Sequence, residues 1–268
     1  MDLSEANRRR QDFLERFAAA CRHDERIVAA LMGGSNVKSS PDAFSDVDLT
    51  LITQPESLAG MRATIGDFLG NLGELVFLEH FDREYLLFVF YADGVEGEVW
   101  LAGADDLHHI RCGPFQALVD KAGILAGAVF AGEEPGYDEQ VEILRRQITW
   151  FWHEMSHCLT ALGRGQLWWA YSQLEELRRH LVNLMRLRHD FSASADGFEK
   201  VEKALPAGEL ARLQATVCPL ERAAMLDAVD QAFVLYRELA GELGPRYGIA
   251  YPAALEQVLL ERRRQLPA

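Results

Sequence analysis

Cysteine is scarce and dispersed in this chain of 268 residues: Cys21, Cys112, Cys158 and Cys218 form no C-x-x-C pair. Thiols so far apart suit a reducing compartment and argue against a disulfide framework or a zinc ribbon. Long apolar runs are also missing. No stretch approaches the roughly 18 residues needed to span a bilayer. The opening residues, Met1 to Arg10, carry Asp2, Glu5 and three consecutive arginines and lack the apolar core of a secretory leader. A cytoplasmic protein is expected. Basic charge is in deficit, with 27 Lys+Arg against 41 Asp+Glu and a net charge of −14. Such a surface disfavours nucleic acid and anionic membranes and suits cationic small molecules. There is no repeat and no low-complexity tract, so an ordinary globular protein of one large domain or two modest ones is expected.

The hydrophobic period changes once along the chain. In the first half, Phe13, Leu14, Phe17, Ala18 and Cys21 follow the i, i+3, i+4 rhythm of a helix over 12–21. Ile27–Met32 is a short apolar run stopped by Gly33-Gly34, which reads as a buried strand and a turn. Strands are predicted at 47–52, 75–78, 85–91 and 98–101, a helix at 57–69, a hairpin across Asp93-Gly94 and an edge strand over 116–125. After Pro135-Gly136 only helical periods remain: 137–162 and 166–188, separated by Gly163-Arg164-Gly165, then 198–216, 219–243 and 252–265. Pro219 and Pro252 are read as helix openers. The expected fold class is α+β, with a mixed sheet and helices over 1–134 followed by a helical bundle over 135–268.

The chemistry-bearing stretch is Leu31-Met32-Gly33-Gly34-Ser35, a ten-residue loop, and Asp46-Val47-Asp48-Leu49. A glycine and a hydroxyl closing a strand let backbone and side chain approach phosphate oxygens. Asp46 and Asp48, two apart on a strand, share one face. Two carboxylates projecting together form a hard oxygen site suited to Mg²⁺. Lys38 in the loop reads either as a phosphate-facing cation or as a solvated lysine.

This pattern resembles the Gly-Ser … Asp-x-Asp signature of the nucleotidyltransferase superfamily. The superfamily's third carboxylate is matched by Glu98 in Gly97-Glu98-Val99, with Glu96 as the competing acid. The run from Glu25 to Ile52, the Gly-Glu-Val strand and the helix pair around Gly163-Arg164-Gly165 resemble antibiotic nucleotidyltransferases of the lincosamide and aminoglycoside type. The resemblance implies a nucleotidyltransferase catalytic domain (1–134) and a helical acceptor-binding domain (135–268). It implies a metal at Asp46 and Asp48, nucleotide binding by Gly34, Ser35 and Lys38, Glu98 as base, and ATP or another NTP as donor. The acceptor implied is a hydroxylated cationic antibiotic, with lincosamides placed ahead of aminoglycosides by overall length and the Arg164-Gly165 region. A homodimer is also implied, as is an antibiotic-resistance role. Modification of a protein by a toxin–antitoxin type of nucleotidyltransferase is the alternative in a different class.

A rival motif lies in the second half. His153-Glu154-Met155-Ser156-His157 is an H-E-x-x-H, and Glu176 follows at a spacing some zinc peptidases use. Because these residues fall on predicted bundle helices, the histidines are read as packed in or near the bundle core, without stoichiometric zinc. Trp150, Trp152, Trp168, Trp169 and Tyr171 are read first as core residues. Glu154, Trp168, Tyr171 and Glu175, near the helix break, are kept as candidates to meet a cationic acceptor.

Overall fold

The computed structural model describes residues 3–34, 37, 42–80, 85–109, 114–128, 135–191 and 197–267. The chain divides into two compact units, Met1–Gly132 and Glu133–Ala268.

The first unit is built on a six-stranded mixed sheet. The strands are β1 (Ile27–Met32), β2 (Val47–Thr53), β3 (Leu75–Glu79), β4 (Leu86–Tyr91), β5 (Glu96–Gly103) and β6 (Gln116–Asp120). Their order is β3-β4-β5-β2-β1-β6. β2 and β5 run parallel and the other neighbours are antiparallel. The predicted hairpin joins β4 to β5, with Gly94 N–H donating to Tyr91 O at 2.9 Å. β6 is an edge strand that stops at Asp120, where the Asp120 carboxylate accepts from Ile124 and Leu125 N–H.

Alternation along the strands separates two faces. One carries Ala30, Met32, Leu49, Leu51, Val99 and Leu101, packed under helices α1 (Leu3–His23) and α2 (Leu58–Gly70) through Phe13, Phe17, Met61, Ile65 and Leu69. The other face presents Asp48, Thr50 and Ile52 from β2, and Glu98 from β5. A smaller cluster of Ala29, Leu31, Ile52 and Leu125 covers part of it. The carboxylates therefore project from the face opposite α1 and α2.

The second unit is all helix among the described residues: α3 (Tyr137–Gly163), α4 (Leu167–His189), α5 (Val201–Ala204), α6 (Ala207–Gln214), α7 (Arg222–Arg246) and α8 (Ala253–Arg264). Buried Leu144, Ile148, Phe151, Trp152, Met155, Leu159 and Leu162 line one stripe of α3 at spacings of three and four. The break between α3 and α4 is a Schellman turn, in which Gln166 N–H donates to Ala161 O at 2.9 Å and Gly165 N–H to Leu162 O at 3.1 Å. At the core centre the Phe151 and Tyr236 rings stack at 3.9 Å. Trp152 Nε1–H donates to Tyr236 Oη at 2.7 Å, and that hydroxyl donates to Ile148 O at 3.0 Å. A buried phenol and indole are thus both satisfied, as a low-dielectric interior demands.

The structure corrects several sequence expectations. α1 starts at Leu3 and so takes in the arginine run. The helix expected over 198–216 is two short helices, because Pro206 holds Leu205 in extended backbone (φ −105°, ψ 145°) and breaks the run. Pro219 does not open a helix; α7 begins at Arg222, behind an extended Glu221. Of the aromatics read as core, Trp152 is buried, Trp169 and Tyr171 are half-buried, and Trp150 and Trp168 are exposed.

Burial of His180 on α4 holds its imidazole below the ordinary value of 6.5, while Glu154 and Glu176 pull it upward and Arg146 and Arg179 push it down. Its ring meets Gln147 Oε1 at 2.8 Å. A base whose folded value is depressed favours the fold fully above its unfolded value and loses that contribution as pH falls through the interval below 6.5. Urea midpoints should therefore decline from pH 7.5 towards pH 5, with a shallower decline in His180→Gln; identical slopes in both proteins would remove His180 as a cause.

Candidate active site

The site is assembled where β1 ends beside the start of β2. Gly33 N–H donates to Asp48 O at 2.8 Å, which carries the antiparallel ladder one step past Met32↔Leu49. Gly34 then turns away with φ +67°, and a Cβ placed on it would lie 1.6 Å from Asp48 Oδ2. The glycine is therefore required twice: for left-handed backbone, and for the space that the Asp48 carboxylate fills.

β2 and β5 bring the third acid in. Their parallel register pairs Val47 with Gly97 and Asp48 with Glu98. Gly97 makes this closeness possible, since a Cβ there would lie 2.1 Å from Val47 O. Asp48 and Glu98 are lateral neighbours on one face, roughly 4.8 Å apart by strand spacing. Asp46 precedes β2 by one residue rather than lying within it, and is half-buried like Asp48, Glu96 and Glu98. Carboxylates brought together on one face offer a set of hard oxygen donors, and such a set fits Mg²⁺. Ser35 and Lys38 lie outside the described residues.

A residue that the sequence did not single out positions this cluster. Arg10 on α1 is only 7% exposed. It donates from Nη1 to Ser45 O at 2.9 Å, from Nη2 to Asp42 O at 2.6 Å, and also to Asn7 Oδ1. The turn it grips is closed by its own side chains: Asp42 Oδ1 accepts Phe44 N–H at 2.8 Å, and Ser45 Oγ accepts Asp42 N–H at 2.9 Å. Asp46 follows directly, so its backbone leaves an anchored turn.

In the second unit, Glu175 pairs with buried Arg178, which also donates to Thr216 O at 2.7 Å and lies over the Tyr171 ring at 5.7 Å. Trp168 is 79% exposed. Glu154 Oε1 lies 2.9 Å from His153 Nδ1. Among the four acceptor candidates, Tyr171 and Glu175 thus surround an arginine of the bundle, Glu154 meets a histidine, and Trp168 offers its ring to solvent.

The structure thus brings together Gly34, Asp46, Asp48 and Glu98, described residues of the pattern that resembles the nucleotidyltransferase superfamily. The family model for streptomycin adenylyltransferase matches residues 7–261, and the chain belongs to that family. A curated protein from Burkholderia vietnamiensis named ferredoxin–NADP reductase is 31% identical over 187 residues, covering 60% of this chain and 50% of that one. The chain spans about half the length of that curated relative. Among solved structures, an aminoglycoside 6-adenyltransferase from Bacillus subtilis is 15% identical, with a TM-score of 0.43, over 95% of this chain and 96% of that one. A nucleotidyltransferase-like protein from Exiguobacterium sibiricum is 14% identical, with a TM-score of 0.41, over 86% and 75% respectively. Among the described residues no helix is long and apolar enough to cross a membrane.

Two substitutions test this geometry. Gly34→Ala must displace the Asp48 carboxylate, and a misplacement of about 1 Å is enough for a roughly 10²-fold loss of turnover. Arg10→Lys keeps the charge but not the planar fork that spans two carbonyls. It should lower turnover while circular dichroism stays native, and wild-type turnover in either variant would separate these contacts from the site.

Proposed function

We propose that the chain transfers a nucleoside monophosphate, AMP from ATP, to a hydroxyl of a cationic antibiotic. The observation that carries this reading is the register pairing of Asp48 with Glu98 beside Gly34. Asp46 and Asp48 would hold Mg²⁺, which would supply neutralisation of the phosphate charge. The Gly34 backbone, with Ser35 and Lys38, faces the phosphates. Glu98 takes the proton of the acceptor hydroxyl as its oxygen bonds to the α-phosphorus and the bond to the β-phosphate oxygen breaks, releasing pyrophosphate. Glu98 is preferred to Glu96 because the register places it, and not Glu96, beside Asp48.

The first unit, in this reading, is the catalytic domain and the second contributes acceptor binding. Trp168 and Glu154 are its candidate contacts, since a cationic acceptor is met by an aromatic face and a carboxylate. Membership of a family named for streptomycin favours an aminoglycoside acceptor over the lincosamide that chain length suggested. The net charge of −14 is compatible with any polycationic acceptor.

Pyrophosphate release should be followed with ATP and Mg²⁺ against streptomycin, other aminoglycosides, lincosamides and a protein lysate. Release that depends on an aminoglycoside is expected; release with lincosamides alone would restore that order, and release with lysate alone would make this a protein modifier. The acids should separate by role. Asp46→Asn and Asp48→Asn should weaken nucleotide binding and turnover together. Glu98→Gln should bind Mg²⁺–ATP nearly as well as wild type while kcat falls about 10²–10⁴-fold. Equal loss of nucleotide affinity in all three would make Glu98 a metal ligand, and normal turnover in Glu98→Gln would transfer the role to Glu96.

A further inference from the structure

The H-E-x-x-H segment is not accounted for by packing. His153 and His157 lie one turn apart on α3, and the structure places neither in the bundle core: His153 is 51% exposed at its side chain and His157 is half-buried. Their rings are 4.2 Å apart between centroids. Glu154, whose side chain is 13% exposed, brings Oε1 to 2.9 Å from His153 Nδ1. One ligand atom from each of His153, Glu154 and His157 falls within 4.8 Å of the other two. Around a cation with bonds of about 2.0–2.1 Å, neighbouring ligand atoms sit about 3.3 Å apart, so small rotations of the two imidazoles would bring both onto one ion. Trp150 and Trp169 flank the pair, at 5.1 Å from the His153 ring and 6.0 Å from the His157 ring.

We propose that His153, Glu154 and His157 form a binding site for a divalent transition cation of the zinc type, with residues distinct from the carboxylates of the first unit. Chemistry distinguishes the two. Asp46, Asp48 and Glu98 offer only oxygen and suit a hard ion. Two imidazoles, one of them held by a neighbouring carboxylate, suit the borderline ions, of which zinc is one. The contact between Glu154 and Nδ1 of His153 gives the carboxylate a defined part. With the proton on Nδ1, Glu154 orients the ring and leaves Nε2 to bind the ion, the carboxylate–histidine arrangement that raises ligand basicity. Glu154 is thereby engaged with its neighbour, and the site is one of binding, with no hydrolytic step. Solvent supplies the remaining ligands on the exposed side. The proposal does not depend on the nucleotide chemistry, and Glu154 is the residue it shares with the acceptor contacts proposed above.

The test uses the full chain, stripped with EDTA, dialysed, and titrated with Zn²⁺ in a calorimeter. Asp46→Asn/Asp48→Asn serves as the background, so that the carboxylate site does not contribute. One equivalent of zinc should bind. His153→Ala and His157→Ala should each weaken it more than tenfold, and Glu154→Gln by about 10–100-fold. Zinc that binds equally well to a His153→Ala/His157→Ala double variant, or no binding at all, would overturn the proposal. Should those variants fail to fold, the same background protein loaded with one equivalent of Cu²⁺ gives a second reading. Nitrogen hyperfine structure from two imidazoles in its electron paramagnetic resonance spectrum is expected, and a spectrum with oxygen ligands alone would count against the site.

Discussion

The contact between the Asp48 carboxylate and the bare Cα of Gly34 is the constraint around which the first unit is arranged. An oxygen occupies the place where every other residue would put its Cβ. That requires β1 to end at Met32, the backbone to turn with positive φ, and β2 to start opposite it in one register only. Because side chains alternate with a period of two, a slip of one residue would send Asp48 into the apolar face under α1 and α2. The buried residues Leu49 and Leu51 on one side, and Thr50 and Ile52 on the other, fix the register against that slip.

The parallel pairing of β2 with β5 extends the same constraint to a third acid. Parallel neighbours need a long connection, and here it contains α2 and the β3–β4 antiparallel pair. Gly97 then lets the two backbones meet where Val47 O would otherwise clash. The two glycines do comparable things at the two edges of one strand: each removes a side chain so that an oxygen of β2 fits. Arg10, itself buried, fixes the approach to that strand by donating to the Asp42 and Ser45 carbonyls.

Much of this was legible because the signals are local. The apolar run of β1 stops at a pair of glycines, Asp46 and Asp48 are two apart, and Glu98 stands in a short alternating strand. The Schellman turn at Gly165 is announced by its own residues. Arg10 was not legible, since its partners are backbone carbonyls 32 and 35 positions along the chain, and a carbonyl leaves no mark on residue identity. Likewise the sequence offers Tyr171 and Glu175 as candidate acceptor contacts without showing the buried Arg178 between them, which donates to Thr216 O far along the chain. The place of His153 and His157 on a bundle helix reads as packing in or near the core. The stripe that packs is instead the one through Phe151, Met155 and Cys158, and the histidines fall outside it.

The positions of Arg10, Gly34, Asp46, Asp48, Gly97 and Glu98 have a consequence for how the chain is made. All of them, and the apolar residues that hold them, leave the ribosome before the first residue of α3. At about 5–20 residues per second, synthesis of the second unit takes on the order of ten seconds, long compared with the folding of a small domain. The sheet has a core of its own and can close around its carboxylates during that interval. A chain whose synthesis stalls within the second unit would accordingly already carry the closed sheet and its acid cluster.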